Sequence, residues 1–148
     1  MLSQFTQFLY DDIPLTKNMG LVIEKYHQDT IVLQAPLCAN INDKGSVFGG
    51  SSSALMIIAA WSLIKLNCVE SEIDADIVVH KNTTHWQKAL FTDLIIKAQF
   101  KGVVDFEEIK QTITKKKHQR LTCLIELLDK DGTIYSTMTA KYVIIPKK

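Results

Sequence analysis

The chain has 148 residues, 47% of them hydrophobic and 22% charged, and a formal net charge of +1. A chain of this length and composition can bury one core of its own and is neither depleted enough for disorder nor apolar enough to live inside a membrane. The balanced charge argues against nucleic acid as a partner, since such binding needs a basic face. Met1 to Tyr10 lacks a basic n-region and holds Gln4, Thr6 and Gln7 where a signal peptide needs apolar residues, so no export signal is expected. Cys38, Cys68 and Cys123 are odd in number and widely spaced, which fits free thiols in a reducing cytoplasm rather than a disulfide framework or metal site.

No repeat or Pro/Gly-rich linker divides the sequence, and residues 1–148 read as a single domain. Leu2, Phe5, Phe8 and Leu9 recur at helical spacing until Ile13-Pro14, predicting a short amphipathic lid helix. Met19 to His27 and Thr30 to Leu37 are rich in β-branched and apolar residues, and Gln28-Asp29 between them turns a hairpin. A polar loop, Asn40 to Ser46, then leads into Val47 to Leu66. There Ala54-Leu55-Met56-Ile57-Ile58-Ala59-Ala60-Trp61 is apolar on every side of a helix. Its uninterrupted apolar run is shorter than the roughly 20 residues a bilayer requires, so a helix encased in protein is expected and no membrane partner.

Ala75 to Trp86 predicts a strand, and Leu94, Ile96, Ala98 and Phe100 alternate with polar residues along the next. Phe106, Ile109 and Ile113 suggest an amphipathic helix from about Asp105 to Lys116. Leu121, Cys123, Ile125 and Leu127 alternate again. After the turn Asp129-Lys130-Asp131-Gly132, the residues Ile134, Ser136, Met138, Ala140, Tyr142 and Ile144 return along one face. Two strands, one helix apolar all round and about four further strands give an α+β class, an antiparallel sheet wrapped around one long buried helix. The exposed edge of such a sheet predicts pairing of two copies, as a homodimer or a dimer of dimers.

Chemistry concentrates in Asn42-Asp43-Lys44-Gly45-Ser46-Val47-Phe48-Gly49-Gly50-Ser51, a polar loop that enters the buried helix. The first amides of a helix lack internal partners and sit at the positive end of its dipole. Gly49 and Gly50 let a ligand approach the backbone there. Such donors can polarise a thioester carbonyl and stabilise the oxyanion formed when water attacks. The alternative on spacing alone is that the glycines serve helix–sheet packing, with Ser51 as a cap.

The pattern Asn42, Gly45, Phe48-Gly49-Gly50 ahead of a small-residue, apolar helix with Trp61 resembles the hotdog thioesterases, in which an Asn-x-x-Gly-x-x-His-Gly-Gly loop precedes the central helix. The fuller Asn-x-x-Gly-Ser-Val-Phe-Gly-Gly-Ser is similar to the thioesterase domain fused behind bacterial N-acetyltransferases. The resemblance implies the hotdog fold and the hydrolysis of an acyl-CoA or acyl-carrier-protein thioester, without a cofactor. It assigns Gly49 the carbonyl-polarising N–H, Gly50 the close approach, and Asn42 the positioning of thioester or water. Phe48 replaces the usual histidine. Where many relatives carry an Asp or Glu two turns into the helix, this chain is apolar around Ile57, and no carboxylate occurs between Asp43 and Glu70. Either a residue from the partner subunit or another strand then acts as base, or the carbonyl is activated while water attacks with Ser or Asn assistance.

Asp43 is a candidate general base, weighed against a solvated turn residue. Phe48, Ser51, Ser52, His85 and Trp86 are candidate substrate contacts, His85 weighed against a strand-end histidine in solvent. The family's proline after this aromatic position is replaced by Lys88 or Ala89. His80, on an apolar strand, is expected to be a satisfied structural histidine, and nothing supports a metal. Lys115-Lys116-Lys117-His118-Gln119-Arg120 could meet coenzyme A phosphates or the acidic face of an acyl carrier protein, and more simply forms a solvated connection. Cys123 is expected in the core. The competing functions are a non-catalytic acyl-binding or regulatory module and, last, a dehydratase, which needs a catalytic core histidine.

Overall fold

The computed structural model describes residues 1–148. At its centre is the helix α3, Gly49–Glu70, following α1 (Leu2–Asp12) and the single turn α2 (Leu15–Asn18). Six antiparallel strands surround α3: β1 (Val22–His27), β2 (Thr30–Ala35), β3 (Ala75–Trp86), β4 (Leu94–Phe100), β5 (Gln119–Leu128) and β6 (Ile134–Pro146). They lie in the order β1-β2-β4-β5-β6-β3, so the strand that follows α3 ends at the sheet's far edge. This is the hotdog arrangement expected from the sequence.

The sheet closes round α3 because the helix has no polar stripe to leave in water. Leu55, Met56, Leu63 and Ile64 are fully buried, and α3 packs against β2, β3, β4, β5 and β6. Each such side chain contributes about 1.5–3 kcal/mol on leaving water. By length and composition α3 could cross a membrane, yet 67% of its most apolar stretch is buried inside the protein. It runs past the expected Leu66 to Glu70, where Asn67 Nδ2 donates to the carbonyls of Leu63 (2.9 Å) and of Gln28 (2.8 Å) in the β1–β2 turn. Two more bonds fix its rotation in the sheet. Trp61 Nε1 donates to the Ile77 carbonyl at 2.9 Å, and the Tyr142 hydroxyl to the Ile57 carbonyl at 2.6 Å.

α1 does act as a cover. Phe5 and Leu9 are buried, and Phe8 stacks on Trp61 with ring centroids 6.3 Å apart and planes 11° from parallel. The chain does not leave helix at Pro14 as the sequence suggests; Pro14 stops α1 and immediately caps the one-turn α2, since proline suits a helix start. Between β4 and β5 lies α4 (Phe106–Thr114). It is capped by Asp105, whose carboxylate accepts from the amides of Glu107 (2.9 Å) and Glu108 (3.4 Å), and it buries Ile109 and Ile113.

The pairing of β3 with β6 slips by one residue between Val79 and Lys81, which makes His80 the extra residue of a bulge. His80 is exposed there. The expected satisfied structural histidine is thereby corrected: Ala75, Ile77 and Val79 take the inward positions, and His80 stands next to them on the outer side as the residue the slip leaves without a partner on β6.

Candidate active site at the mouth of the central helix

The loop before α3 is held in shape by two asparagines. Asn40 is buried; its Nδ2 donates to the carbonyls of Met19 (2.9 Å) and Pro36 (2.7 Å), and its own carbonyl accepts the Phe48 amide at 2.8 Å. Asn42 closes a tight turn. Its Oδ1 accepts the amides of Lys44 (2.9 Å) and Ser46 (3.0 Å), and its Nδ2 donates to Ser46 Oγ at 3.0 Å. Gly45 completes the turn at φ +84°, in the left-handed region that glycine enters without strain. The Val47 amide then donates to the Leu90 carbonyl at 2.9 Å, tying the loop to the segment that leaves β3.

Phe48 occupies the N-cap in an extended conformation, φ −66° and ψ 129°, and no side chain caps the helix. Ser51 is therefore not the cap, and the amides of Gly49, Gly50 and Ser51 have no acceptor within the protein. The two glycines differ in what they accommodate. A Cβ on Gly50 would run into the Phe48 ring, so the close approach at Gly50 is made by Phe48. A Cβ on Gly49 would stand 3.3 Å from Trp86 Nε1. The Trp86 indole lies across the first turn, donating from Nε1 to Ser52 Oγ at 3.3 Å, while Ser52 Oγ donates to the Gly49 carbonyl at 3.1 Å.

Against this first turn opens a cleft of about 320 Å³, lined among others by Asn42, Ser46, Gly49, Ser52, Trp86 and Ser136. Of the residues singled out from the sequence it brings together Asn42, Gly49, Ser52 and Trp86. It does not bring in the rest. Asp43 is exposed and paired with Lys44 at 3.1 Å, Phe48 and Gly50 face solvent beside it, and His85 is exposed on the opposite face of β3 from Trp86. Gln87, Leu90, Leu127 and Ser136 were not singled out. Only Ser136 carried a signal, as the one small polar residue on the apolar face of its strand.

No carboxylate lines the cleft, and Glu70, the only acid on α3, lies at the far end of the helix. The basic run Lys115–Arg120 is exposed at that far end too, where β5 begins, while the cleft is beside the end of β5 at Leu127. At about 3.3 Å per residue the two are separated by more than 20 Å within one chain. A wider groove of about 930 Å³ also lies there, bordered by Asn67, Glu70, Phe100 and Phe106. It is larger, but helix carbonyls and acidic side chains make it electronegative, the wrong sign for an oxyanion. Cys123 is buried as expected, and burial pushes its thiol up to about 12; Cys68 is likewise pushed up to about 11. Neither is a nucleophile at neutral pH.

Residues 2–146 match the family model described as "Putative thioesterase (yiiD_Cterm)". Among solved structures, the chain superposes on a "putative thioesterase" from Shewanella oneidensis with TM-score 0.87 at 19% identity, covering 98% of this chain and 97% of that one. A protein of unknown function from Chlorobaculum tepidum gives TM-score 0.87 at 24% identity, with 98% and 94% covered. A thioesterase from Haemophilus influenzae gives 0.79 at 13%, with 99% and 91% covered. At these identities the superpositions show the shared fold.

Proposed function

The chain belongs to the thioesterase family whose model spans residues 2–146, and on that premise we propose that it hydrolyses acyl-CoA or acyl-carrier-protein thioesters in the cytoplasm. The observation that carries this reading is the uncapped start of α3, where the Gly49 amide lacks an acceptor and Gly49 lines the cleft. The thioester oxygen takes that amide as its donor. As water adds to the carbon, the developing oxyanion is held by the N–H and the helix dipole, and one such donor contributes about 3 kcal/mol. Trp86, lying over Gly49, walls the acyl group from solvent. Asn42 keeps the loop in shape and has one Nδ2 hydrogen left for the substrate. The loop sequence groups the chain with the domains fused behind bacterial N-acetyltransferases. Unpaired Cys38, Cys68 and Cys123 support a reducing compartment.

A second copy completes the fold on this reading. β3 is an open edge of 12 residues. Val79, Asn82 and Trp86 pair with buried residues of β6 on the inner face, yet are exposed. Antiparallel pairing of two β3 strands closes that edge and sets Asp74 and Asp76 of one copy near the opposite charge of Lys88 on the other. A dimer of dimers remains compatible with this pairing.

The lack of a cleft carboxylate favours a second reading, a non-catalytic acyl-binding module. One assay separates them. Purified protein is given a panel of acyl-CoA and acyl-carrier-protein thioesters and thiol release is followed; turnover supports the enzyme, and tight binding without turnover the module.

A further inference from the structure

The inward row of β6 is Ser136, Met138, Ala140, Tyr142 and Ile144, all buried. Tyr142 uses its hydroxyl on Ile57. Ser136 does not use its own. It is 2% exposed, sits in register between Trp86 on β3 and Leu127 on β5, and lines the cleft with Gly49. The neighbouring hydroxyls are engaged: Ser46 Oγ accepts from Asn42, and Ser52 Oγ accepts from Trp86 and donates to Gly49. Ser136 Oγ makes no hydrogen bond within the protein, yet is not among the buried polar atoms cut off from all exposure, so its remaining access is to the cleft. Burying a hydroxyl without a partner is unfavourable, and alanine would pack here as well. The side chain is explained by something that enters the cleft.

We infer that the Ser136 hydroxyl is a catalytic residue that holds and deprotonates the attacking water, an inference that rests on the thioesterase reading above. A water on the cleft floor needs an acceptor, and Asn42 Oδ1 is already taken by two amides. Ser136 Oγ is free both to accept and to donate. The water oxygen bonds to the acyl carbon while Gly49 N–H holds the carbonyl oxygen. The carbon–sulfur bond then breaks and its electron pair leaves on sulfur. The proton shed by the water passes to Ser136 Oγ as the Ser136 proton passes to the departing thiolate. The serine ends as it began, the products are a carboxylic acid and a thiol, and no carboxylate base is required.

The test compares the full-length chain with Ser136→Ala and Ser136→Thr in thiol-release kinetics on acyl-CoA and in thermal unfolding. Proton-transfer groups contribute about 10²–10⁴-fold, so Ser136→Ala is expected to lower kcat about 100-fold with KM within about twofold and an equal or higher Tm. Ser136→Thr, which keeps the hydroxyl, is expected to recover at least about tenfold of that loss. An active wild type whose Ser136→Ala variant keeps kcat within about threefold overturns this inference alone. So does a variant that loses Tm and gains KM together, which marks a packing role. A wild type that turns over no thioester in the panel overturns the thioesterase reading and this inference with it.

Discussion

Trp86 Nε1 lies 3.3 Å from Ser52 Oγ, which brings the last residue of β3 across the first turn of α3. Glycine at position 49 gives the indole room to lie against this turn, since a Cβ there would stand 3.3 Å from Trp86 Nε1.

The Gly49 amide can be removed without breaking the helix. Gly49 is the first helical residue, where proline is tolerated, and Phe48 before it already has the extended backbone that proline demands. Gly49→Pro deletes the donor, whereas Gly49→Ala adds the same Cβ beside Trp86 and keeps it. Thiol-release kinetics are expected to show kcat reduced by about 10²–10³ in Gly49→Pro and far less in Gly49→Ala, with similar circular dichroism. Equal losses in both variants would assign the effect to the indole contact.

Asn42 acts first on its own loop, so its substitutions should separate shape from chemistry. Asn42→Ala removes all three side-chain hydrogen bonds of the turn and is expected to cost about 1–2 kcal/mol in urea unfolding as well as activity. Asn42→Asp keeps the two bonds accepted by Oδ1 and is expected to retain the wild-type midpoint. Activity surviving in Asn42→Asp would leave the loop closure as the whole of its role.

The buried thiols predict how stability changes with alkali. Burial raises Cys68 from 9.0 to about 11 and Cys123 from 9.0 to about 12. The folded protein therefore keeps protons that the unfolded chain releases above about pH 9. Stability from these groups is complete below that pH and is lost as pH rises toward the folded values, each thiol contributing a slope of about −1.4 kcal/mol per pH unit. Unfolding midpoints measured from pH 8 to 11 should fall, and Cys123→Ala should make the fall shallower. At neutral pH a chromogenic disulfide should find one fast thiol, the exposed Cys38, which a Cys38→Ser background removes from the turnover assay.

Tyr142→Phe tests the pin between sheet and helix. The hydroxyl is buried and donates to Ile57 at 2.6 Å, and its loss is expected to cost about 1–2 kcal/mol, lowering Tm by several degrees for a domain of this size. Because the contact lies inside the core rather than at the cleft, KM should stay within about twofold.

The fold could be read from the chain because its strongest signals are local. The all-round apolar run from Ala54 to Trp61 forces encasement, the alternation in β4, β5 and β6 gives each strand an inner face, and β3 has the expected ends at Ala75 and Trp86. Departures arise where neighbours override local pattern. α2 forms because Pro14 begins as well as ends a helix, α3 extends to Glu70 because Asn67 is held by Gln28, and His80 is left unpaired and exposed at a register slip. The site was half legible. Its loop is contiguous, so Asn42 and Gly49 stand out, but Ser136 and Leu127 reach the cleft through strand register, which no spacing along the chain encodes. Asp43 and His85 have the right chemistry and point away from it.

The turn that Asn42 closes on itself is already set before a substrate arrives. On the thioesterase reading, little backbone entropy of this turn is then lost when an acyl group docks. The heat-capacity change on binding should accordingly track the apolar surface of the ligand alone, growing with each methylene of the acyl tail.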